Sequence, residues 1–163
     1  MSEVWKPSVT VAAVIERDGR FLMVEEHSAG GLRINQPAGH LEPGESLIEA
    51  AVREALEESA HVFSPTALVG TYLSRNVSSS RGGMSVTYLR FAFAGTVGDA
   101  LDRPLDEGIV RALWMTRDEL AACAQRHRSP LVLRCVDDYL RGQRAPLELV
   151  HTDPSAIGDL PDH

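Results

Sequence analysis

Three glutamates near the middle of the chain have the spacing of a metal-binding cluster. Glu54, Glu57 and Glu58 stand at i, i+3 and i+4, so a helix would bring their carboxylates to one side. Like charges at this spacing repel each other by roughly 0.2–0.5 kcal/mol, and the negative end of the helix dipole adds to the cost. A hard divalent cation would reverse both effects, because Mg²⁺ prefers oxygen ligands and binds through carboxylates together with substrate phosphates.

The segment around these glutamates has the signals of a helix. Ser46 is a suitable N-cap and Glu49 follows three residues later, which is the pattern of a capping box. We therefore predict a helix over residues 46–59, since Pro43 and Gly44 prevent an earlier start. The apolar side predicted to face a sheet consists of Ile48, Ala51, Val52 and Ala55. For the glutamates alone, a solvated acidic face is the alternative interpretation.

The loop in front of this helix favours the metal site. It begins at Gly39, reaches Glu45 after five residues, and seven residues later continues into Arg53-Glu54, two residues, and Glu57-Glu58. This pattern resembles the Nudix box, with every charged position at its spacing, and the chain is identified as a member of the Nudix hydrolase family. The resemblance implies an α/β fold, an α/β/α sandwich with a mixed β-sheet, and hydrolysis of phosphoanhydride bonds.

The resemblance also implies a role for each charged residue of the box. The expected metal-binding and catalytic carboxylates are Glu54, Glu57 and Glu58. The backbone carbonyl of Gly39 is expected to be a further ligand of Mg²⁺, for which Mn²⁺ could substitute. Glu45 and Arg53 are expected to form an ion pair that supports catalysis by fixing the loop against the helix, with an exposed charge as the alternative for Arg53. Metal ions would neutralise phosphoryl oxygens and lower the pKa of a bound water.

Residues outside the box are further candidates for the site. Asp106 and Glu107 precede a predicted strand, in a loop that often supplies an extra acid in this family, and we count Glu107 among the catalytic candidates. A solvent-exposed turn is the alternative for both. The candidate substrate contacts are Arg33, Gln36, Tyr88 and Arg90. For each of these four, a place on the ordinary surface or at the edge of the core is the alternative.

The similarity continues beyond the box. Residues 35–42, 128–132 and 139–148 resemble the branch of the family that contains the phosphatase NudJ, which acts on thiamine-pyrimidine and nucleotide phosphates. This favours release of the terminal phosphate from small diphosphates and triphosphates. The alternatives are an ADP-ribose or nucleotide-sugar pyrophosphatase, a pool-cleansing nucleoside triphosphate pyrophosphohydrolase, and a catalytically inactive module that senses nucleotides.

The end of the box departs from the family pattern. Ala60 and His61 stand where the family usually has glycine and an aliphatic residue, and Ile34 stands where a tryptophan is often found. The glycine commonly ends the helix in a left-handed conformation, so either Ala60 would cost roughly 1 kcal/mol or the last turn of the helix would run differently. No predicted metal ligand is lost. The departure therefore concerns stability, whereas Ile34 weakens any expectation that a base stacks at that point.

Strands and helices are predicted to alternate along the rest of the chain. Residues 9–16 are rich in β-branched types and end at Asp18-Gly19, a strong hairpin signal. Further strands are predicted at residues 21–25, 68–75, 85–95 and 108–115, with a break at residues 81–83. Loops are predicted at residues 27–32 and 35–45, and helices at residues 116–124 and 129–140, the second with Ser129 as N-cap. A mixed sheet between helical layers is the arrangement that buries these elements.

Composition limits the class of protein. The chain has 163 residues, enough for one domain, which we place at residues 1–151 with a tail at residues 152–163. A net charge of −7 argues against long nucleic acid as a partner, although metal ions would allow a small phosphorylated substrate. Two cysteines, no long apolar run and no signal peptide lead us to expect a cytoplasmic protein without a membrane partner. A monomer and a homodimer both remain open.

Overall fold

Strands and helices alternate along the part of the chain that the structure, a computed structural model, describes, namely residues 2–77 and 83–159. The strands are β1 (Ser8–Arg17), β2 (Arg20–Ser28), β3 (Gly31–Asn35), β4 (Ala38–His40), β5 (Phe63–Val77), β6 (Ser85–Val97) and β7 (Ile109–Thr116). The α-helices are α1 (Leu47–Ser59), α2 (Arg117–Ala122) and α3 (Leu131–Leu140). Within these ranges, none of the helices has the length and apolar composition of a membrane span.

Strand β1 is the centre of a mixed sheet. It pairs in parallel with β6 and antiparallel with β2 and β4, while β5 extends the sheet beyond β6 and β3 and β7 both pair with β2. The segment from Val11 to Ile15 is at most 1% exposed at every position, because both faces of β1 are covered. One core cluster packs under α1, and the other includes Leu120 of α2 and Val132 of α3. The predicted α/β architecture with a mixed sheet is confirmed.

The first hairpin has the predicted turn. Asp18 and Gly19 both have positive φ angles, 51° and 77°, as a type I′ turn requires. The loop predicted at residues 27–32 is wrong, because β2 continues to Ser28 and β3 begins at Gly31. The pairing of Ser28 with Gly31 closes this second hairpin. This hairpin was not predicted, because polar residues and glycine stand at the strand ends where β-branched residues would have indicated a strand.

The second predicted loop, residues 35–45, is irregular except for Asn35, which is the last residue of β3, and for β4. Three residues from Ala38 to His40 pair with β1, with Gly39 opposite Val11 and His40 opposite Thr10. Strand β5 begins at Phe63, five residues before the predicted start. The predicted break at residues 81–83 falls mainly on Arg81 and Gly82, which lie outside the described residues.

Helix α1 begins as predicted. The Ser46 hydroxyl accepts from the Glu49 N–H, and the Glu49 carboxylate accepts from the Ser46 N–H, which completes the capping box. Ala51 and Ala55 face the core, as does Ala50, whereas the predicted core residues Ile48 and Val52 are only half-buried. Small residues occupy the centre of this contact because the helix lies close to the sheet.

Helix α3 begins one residue later than the predicted cap. Pro130 is its N-cap residue and Ser129 precedes it, although the Ser129 hydroxyl still accepts a hydrogen bond from the Leu131 N–H at 3.2 Å. Proline at this point has its φ preset for the helical turn, which explains the shift.

The segment predicted as a tail makes specific contacts up to the end of the described residues. The Gly158 N–H donates to the Gly44 carbonyl at 3.0 Å, and Ile157 forms a β-bridge with Gly44. A side chain at Gly44 would collide with the Gly158 carbonyl, and Gly44 has a φ of 84°. The segment therefore covers the loop that leads into α1. Residues 160–163 of the predicted tail lie outside the described residues.

Ala60 ends α1 in the left-handed conformation that the family pattern assigns to glycine. Its φ and ψ are 59° and 26°, and its N–H donates to the Leu56 carbonyl. An L-residue with a Cβ is strained in this region, so the departure at Ala60 is accommodated by backbone strain and not by a different ending of the helix.

Replacing Ala60 with glycine should raise the free energy of unfolding by about 0.5–1 kcal/mol, because glycine adopts this conformation without strain. Ala55→Gly is the matched control, since it removes a fully buried methyl group from the middle of α1 and should lower stability by about 1 kcal/mol or more. Denaturant unfolding measures both changes. An Ala60→Gly variant less stable than the wild type would show that the methyl group contributes more than the strain costs.

Candidate active site

Arg53 joins helix α1 to the loop in front of it. Its Nε and Nη2 donate to the two carboxylate oxygens of Glu45 at 2.9 and 2.8 Å, and Nη2 also donates to the His40 carbonyl at 3.0 Å. The expected ion pair between Glu45 and Arg53 is thus present and bidentate. The guanidinium holds the pKa of Glu45 below its usual range, and Glu45 raises the pKa of Arg53.

The same guanidinium also faces the acidic side of α1. Its Nη1 donates to Glu54 Oε1 at 2.8 Å and to Glu57 Oε2 at 3.2 Å. Arg53 therefore reduces the repulsion between two of the three carboxylates. The three glutamates share one side of the helix, as their spacing predicts.

Glu54 lies directly against the backbone of β4. A Cβ atom at Gly39 would collide with both carboxylate oxygens of Glu54, so the contact needs glycine for its lack of a side chain and not for its backbone angles. Burial raises the pKa of Glu54, Arg53 opposes this shift, and the charges of Glu57 and Asp106 add to it.

Glu58 is the most deeply placed carboxylate of the cluster. It is 7% exposed, and its Oε1 accepts from the Ala38 N–H at 2.8 Å. It has no ion pair with any residue in the described ranges. The pKa of Glu58 is raised to about 8, mainly by burial and also by the negative charges of Glu26, Glu54 and Asp106, while the hydrogen bond from the Ala38 N–H opposes the shift.

The carboxylates surround the junction of β4 and α1 without forming a closed set. Among residues 2–77 and 83–159, no three His, Cys, Asp or Glu side chains converge as preformed metal ligands. The three glutamates do not converge because Glu54 and Glu57 turn toward Arg53, whereas Glu58 turns toward the Ala38 N–H. Coordination by all three would need Glu54 and Glu57 to rotate away from Arg53.

The acid pair outside the box lies beside this junction. The Asp106 N–H donates to the Glu57 carbonyl at 2.9 Å, which ties its turn to the last turn of α1. The charge of Asp106 raises the pKa of both Glu54 and Glu58. Glu107 follows in the same turn and is exposed. The turn that contains both acids therefore lies beside the last turn of α1. Of the two, Asp106 is the one whose charge acts on the carboxylate cluster.

Glu26 is an acidic residue of the site that the sequence analysis missed. It lies on β2, pairs with Arg33 of β3 in the sheet, and is 3.7 Å from the Arg128 Nε. Burial raises the pKa of Glu26, although the charge of Arg128 lowers it. The sequence signal was the pair Glu25-Glu26 at the end of a run of buried residues. The strand was predicted to end at residue 25, so the prediction excluded Glu26.

A cleft of about 740 Å³ opens next to the carboxylates. Arg33, Tyr88 and Arg90 line it, together with Ala38, Gly39 and His40 of β4. Gln36 is not among its lining residues. That side chain is 1% exposed, donates to the Val132 carbonyl at 2.7 Å and accepts from Arg90 Nη1 at 3.0 Å. Three of the four predicted substrate contacts thus border the cleft. The fourth, Gln36, is buried and accepts a hydrogen bond from one of them, Arg90.

Comparison with known proteins gives consistent matches. Residues 5–135 match the profile of the NUDIX domain. Phosphatase NudJ of Escherichia coli (strain K12) is 37% identical over 148 residues, which cover 90% of this chain and 92% of NudJ. The structure of a NUDIX hydrolase from Nitrosomonas europaea aligns with a TM-score of 0.84 and 50% identity, covering 91% of this chain and 99% of that one.

A more distant structure shares the fold. The NUDIX domain of Shewanella oneidensis NrtR, solved in complex with ADP ribose, aligns with a TM-score of 0.66 and 15% identity, covering 85% of this chain and 90% of that one. Identity this low supports a common fold and nothing about the ligand of this chain.

The raised pKa of Glu58 predicts how stability depends on pH in the presence of EDTA. Between its usual value of 4.5 and the folded value of about 8, the folded chain holds a proton that the unfolded chain has released. The free energy of unfolding should therefore fall as pH rises from about 5 to about 8. Glu58→Gln should remove this contribution and exceed the wild type in stability by about 1 kcal/mol or more at pH 8, with a smaller difference at pH 5.

Denaturant unfolding of both proteins across this pH range measures the difference. Glu3→Gln, which neutralises an exposed glutamate, is the control and should follow the wild type. If Glu58→Gln and the wild type keep a constant stability difference from pH 5 to pH 8, Glu58 does not titrate in this window.

Proposed function

Because the chain belongs to the Nudix hydrolase family, we propose that it uses divalent metal ions to hydrolyse phosphoanhydride bonds in small nucleotide-like diphosphates and triphosphates. The observation that carries this proposal is the excess of carboxylates at the junction of β4 and α1. Arg53 compensates Glu45, Glu54 and Glu57 only in part, and Glu58 is buried with a single N–H as its partner. A bound cation would supply the missing positive charge.

The chemistry of the donor set fits Mg²⁺, with Mn²⁺ as a substitute. All the candidate ligands are oxygen atoms: the carboxylates of Glu54, Glu57 and Glu58 and the carbonyl of Gly39. Hard cations with octahedral preference select such ligands over nitrogen or sulfur. When bound, the metal ions would neutralise phosphoryl oxygens and acidify a water molecule.

The protein's own residues hold this arrangement in place. Arg53 fixes the loop through Glu45 and the His40 carbonyl, and it orients Glu54 and Glu57 before they coordinate a metal ion. Asp106 is the acid outside the box that we propose to accept a proton, since its charge already acts on Glu54 and Glu58. Glu107, its exposed neighbour, is the alternative.

Arg33, Tyr88 and Arg90 are proposed to contact the substrate in the cleft. Release of the terminal phosphate is the proposed reaction, supported by the 37% identity to phosphatase NudJ over most of both chains. The cleft offers Tyr88 as its aromatic wall, and aromatic residues make up only 6% of the chain. Recognition would then depend mainly on phosphate groups, and selectivity among organic groups should be modest.

Gly39→Ala tests the position of Glu54. The new Cβ would displace the Glu54 carboxylate, the end of a flexible side chain, so the fold should remain while the rate of hydrolysis falls by roughly 100-fold or more. Gly98→Ala is the matched control, because no atom lies within 4 Å of its added Cβ. Rates with Mg²⁺ and thermal unfolding of both variants provide the comparison. Full activity of Gly39→Ala would argue against Glu54 as a ligand.

The products identify the bond that is cleaved. With Mg²⁺ and a nucleoside triphosphate, the protein should release inorganic phosphate and the diphosphate, and then the monophosphate. Glu57→Gln should abolish this release while leaving stability in EDTA near that of the wild type, since one ion pair and one repulsion disappear together. Chromatography and phosphate assay measure the products.

Other products would support the alternatives. Pyrophosphate with monophosphate in one step would indicate a pyrophosphohydrolase, and cleavage of ADP-ribose with inert triphosphates would indicate an ADP-ribose or nucleotide-sugar pyrophosphatase. Nucleotide binding without any product would indicate a sensing module.

A further inference from the structure

The segment near the C-terminus lies on the loop that leads into the acidic helix. We call residues 151–158 the C-terminal strap. Just before it, Val150 packs into the core cluster under α1, and at its end the Gly158 N–H donates to the Gly44 carbonyl at 3.0 Å. Ile157 forms a parallel β-bridge with the same glycine. The strap is thus attached at both ends, while most of its residues are exposed.

Local contacts give the strap a defined shape before it reaches the loop. The Asp153 carboxylate accepts from the Ser155 N–H at 2.9 Å and from its hydroxyl at 2.6 Å. Pro154, whose φ is preset by its ring, begins a short 3-10 turn, and the Ile157 N–H donates back to the Pro154 carbonyl at 3.2 Å. A segment ordered in this way loses little conformational freedom when it docks.

The contact between the strap and the loop depends on two glycines. Gly44 has a φ of 84° and Gly158 a φ of 89°, a region that other residues adopt only with strain. A Cβ atom at Gly44 would collide with the carbonyl oxygen of Gly158, which is backbone and cannot rotate away. The two backbones therefore touch directly, so a changed backbone conformation at Gly158 would move or release the loop.

The loop under the strap connects strand β4 with the acidic cluster of α1. Gly44 is followed directly by Glu45, whose carboxylate accepts from Arg53 and from the Glu42 N–H, the latter at 2.8 Å. Arg53 in turn donates to two carboxylates of the cluster. The position of the backbone at Gly44 is thus transmitted to the cluster through one side chain and one ion pair.

A metal ion held between β4 and α1 is sensitive to the spacing of these two elements. Mg²⁺ requires nearly octahedral geometry with metal–oxygen distances of about 2.0–2.1 Å, so ligands that are displaced by a fraction of an ångström bind it less tightly. An unsupported loop would allow a wider range of spacings. A docked strap narrows this range, and metal binding then has less conformational entropy to remove.

We propose that the C-terminal strap is a positioning element for the metal site, because its docking on Gly44 holds β4 and α1 at the spacing that binds the divalent cation. The inference rests on the proposed function, which assigns the cation to these ligands. It adds control of the metal affinity by a segment that lies outside both the box and the matched residues 5–135. Docking of the strap and binding of the metal then strengthen each other by the same factor.

Gly158→Pro tests the strap in the full-length chain. Proline removes the N–H that reaches Gly44 and fixes φ at about −65°, so the strap should not dock. Calorimetric titration of metal-free protein should show Mn²⁺ binding roughly tenfold weaker than in the wild type, as when an outer partner of the metal ligands is lost. A folded Gly158→Pro variant with the Mn²⁺ affinity of the wild type would overturn the proposal.

The kinetics of the same variant separate positioning from a loss of fold. The Mg²⁺ concentration that gives half-maximal hydrolysis should rise by a factor similar to that for Mn²⁺ binding. The turnover number at saturating Mg²⁺ should stay near that of the wild type, because bound metal restores the spacing. A lower turnover number with an unchanged Mg²⁺ requirement would overturn the proposal.

Gly158→Ala and Gly19→Ala form a matched pair. Both glycines have a positive φ, and no atom lies within 4 Å of either added Cβ, so the two substitutions introduce similar backbone strain. Only Gly158→Ala should lose Mn²⁺ affinity, and an equal loss in Gly19→Ala would overturn the proposal. Gly158→Asn should retain most of the affinity, since asparagine tolerates the left-handed region and keeps the N–H donor.

Amide exchange of the wild type gives the reciprocal measurement. Saturating Mg²⁺ should slow the exchange of the Gly158 N–H by roughly the same tenfold factor, and an unchanged rate would overturn the proposal. Mn²⁺ binding that depends on the strap, in a wild type that hydrolyses no phosphorylated substrate, would refute the proposed function alone. Hydrolysis by the wild type with Mn²⁺ binding that is independent of the strap would refute this inference alone.

Discussion

The contacts of Arg53 are the interaction on which the rest of the site depends. One guanidinium donates to both carboxylate oxygens of Glu45, to the His40 carbonyl and to two of the acids of α1. Lysine could not replace it, because a single ammonium cannot form this set of directed bonds. The loop between β4 and α1 therefore keeps its position although it contains proline and glycine and no regular structure. The described part of the C-terminal segment supports the same loop, through the hydrogen bond from Gly158 to Gly44.

Two buried ionisable side chains, Glu58 and Arg90, are consistent with the proposed phosphorylated substrate. Glu58 at one end and Arg90 at the other each lack an ion pair among the described residues, and neutral hydrogen bonds hold each in place. Burying such groups lowers stability, and the strain at Ala60, close to Glu58 in the chain, adds to the cost. Under the proposed function, divalent cations would favour the ionised form of Glu58, and a phosphate group would compensate the charge of Arg90.

The position of β1 explains how these ends come together. Its pairing with β4 on one edge and with β6 on the other places Gly39 and Arg90 on the two strands that flank β1. Helix α1, which carries the carboxylates, covers one face of this sheet, and α3, whose Val132 carbonyl accepts from Gln36, covers the other. The cleft lies where the short strand β4 leaves the sheet open.

The sequence by itself determined helix α1, its capping box, the hairpin at Asp18-Gly19 and the acidic cluster, because each depends on residue types a few positions apart. The same spacing identified the family, and the alanine at position 60 predicted either a strained end of the helix or a different last turn. Only the tertiary structure decided which other residues join the site. Glu26 and Asp106 approach Glu58 from a strand and a turn distant in the chain, and no local pattern encodes such an encounter. Gln36 was predicted from its loop to contact substrate, but packing against α3 buries it, since the register of β4 with β1 sets the depth of that loop.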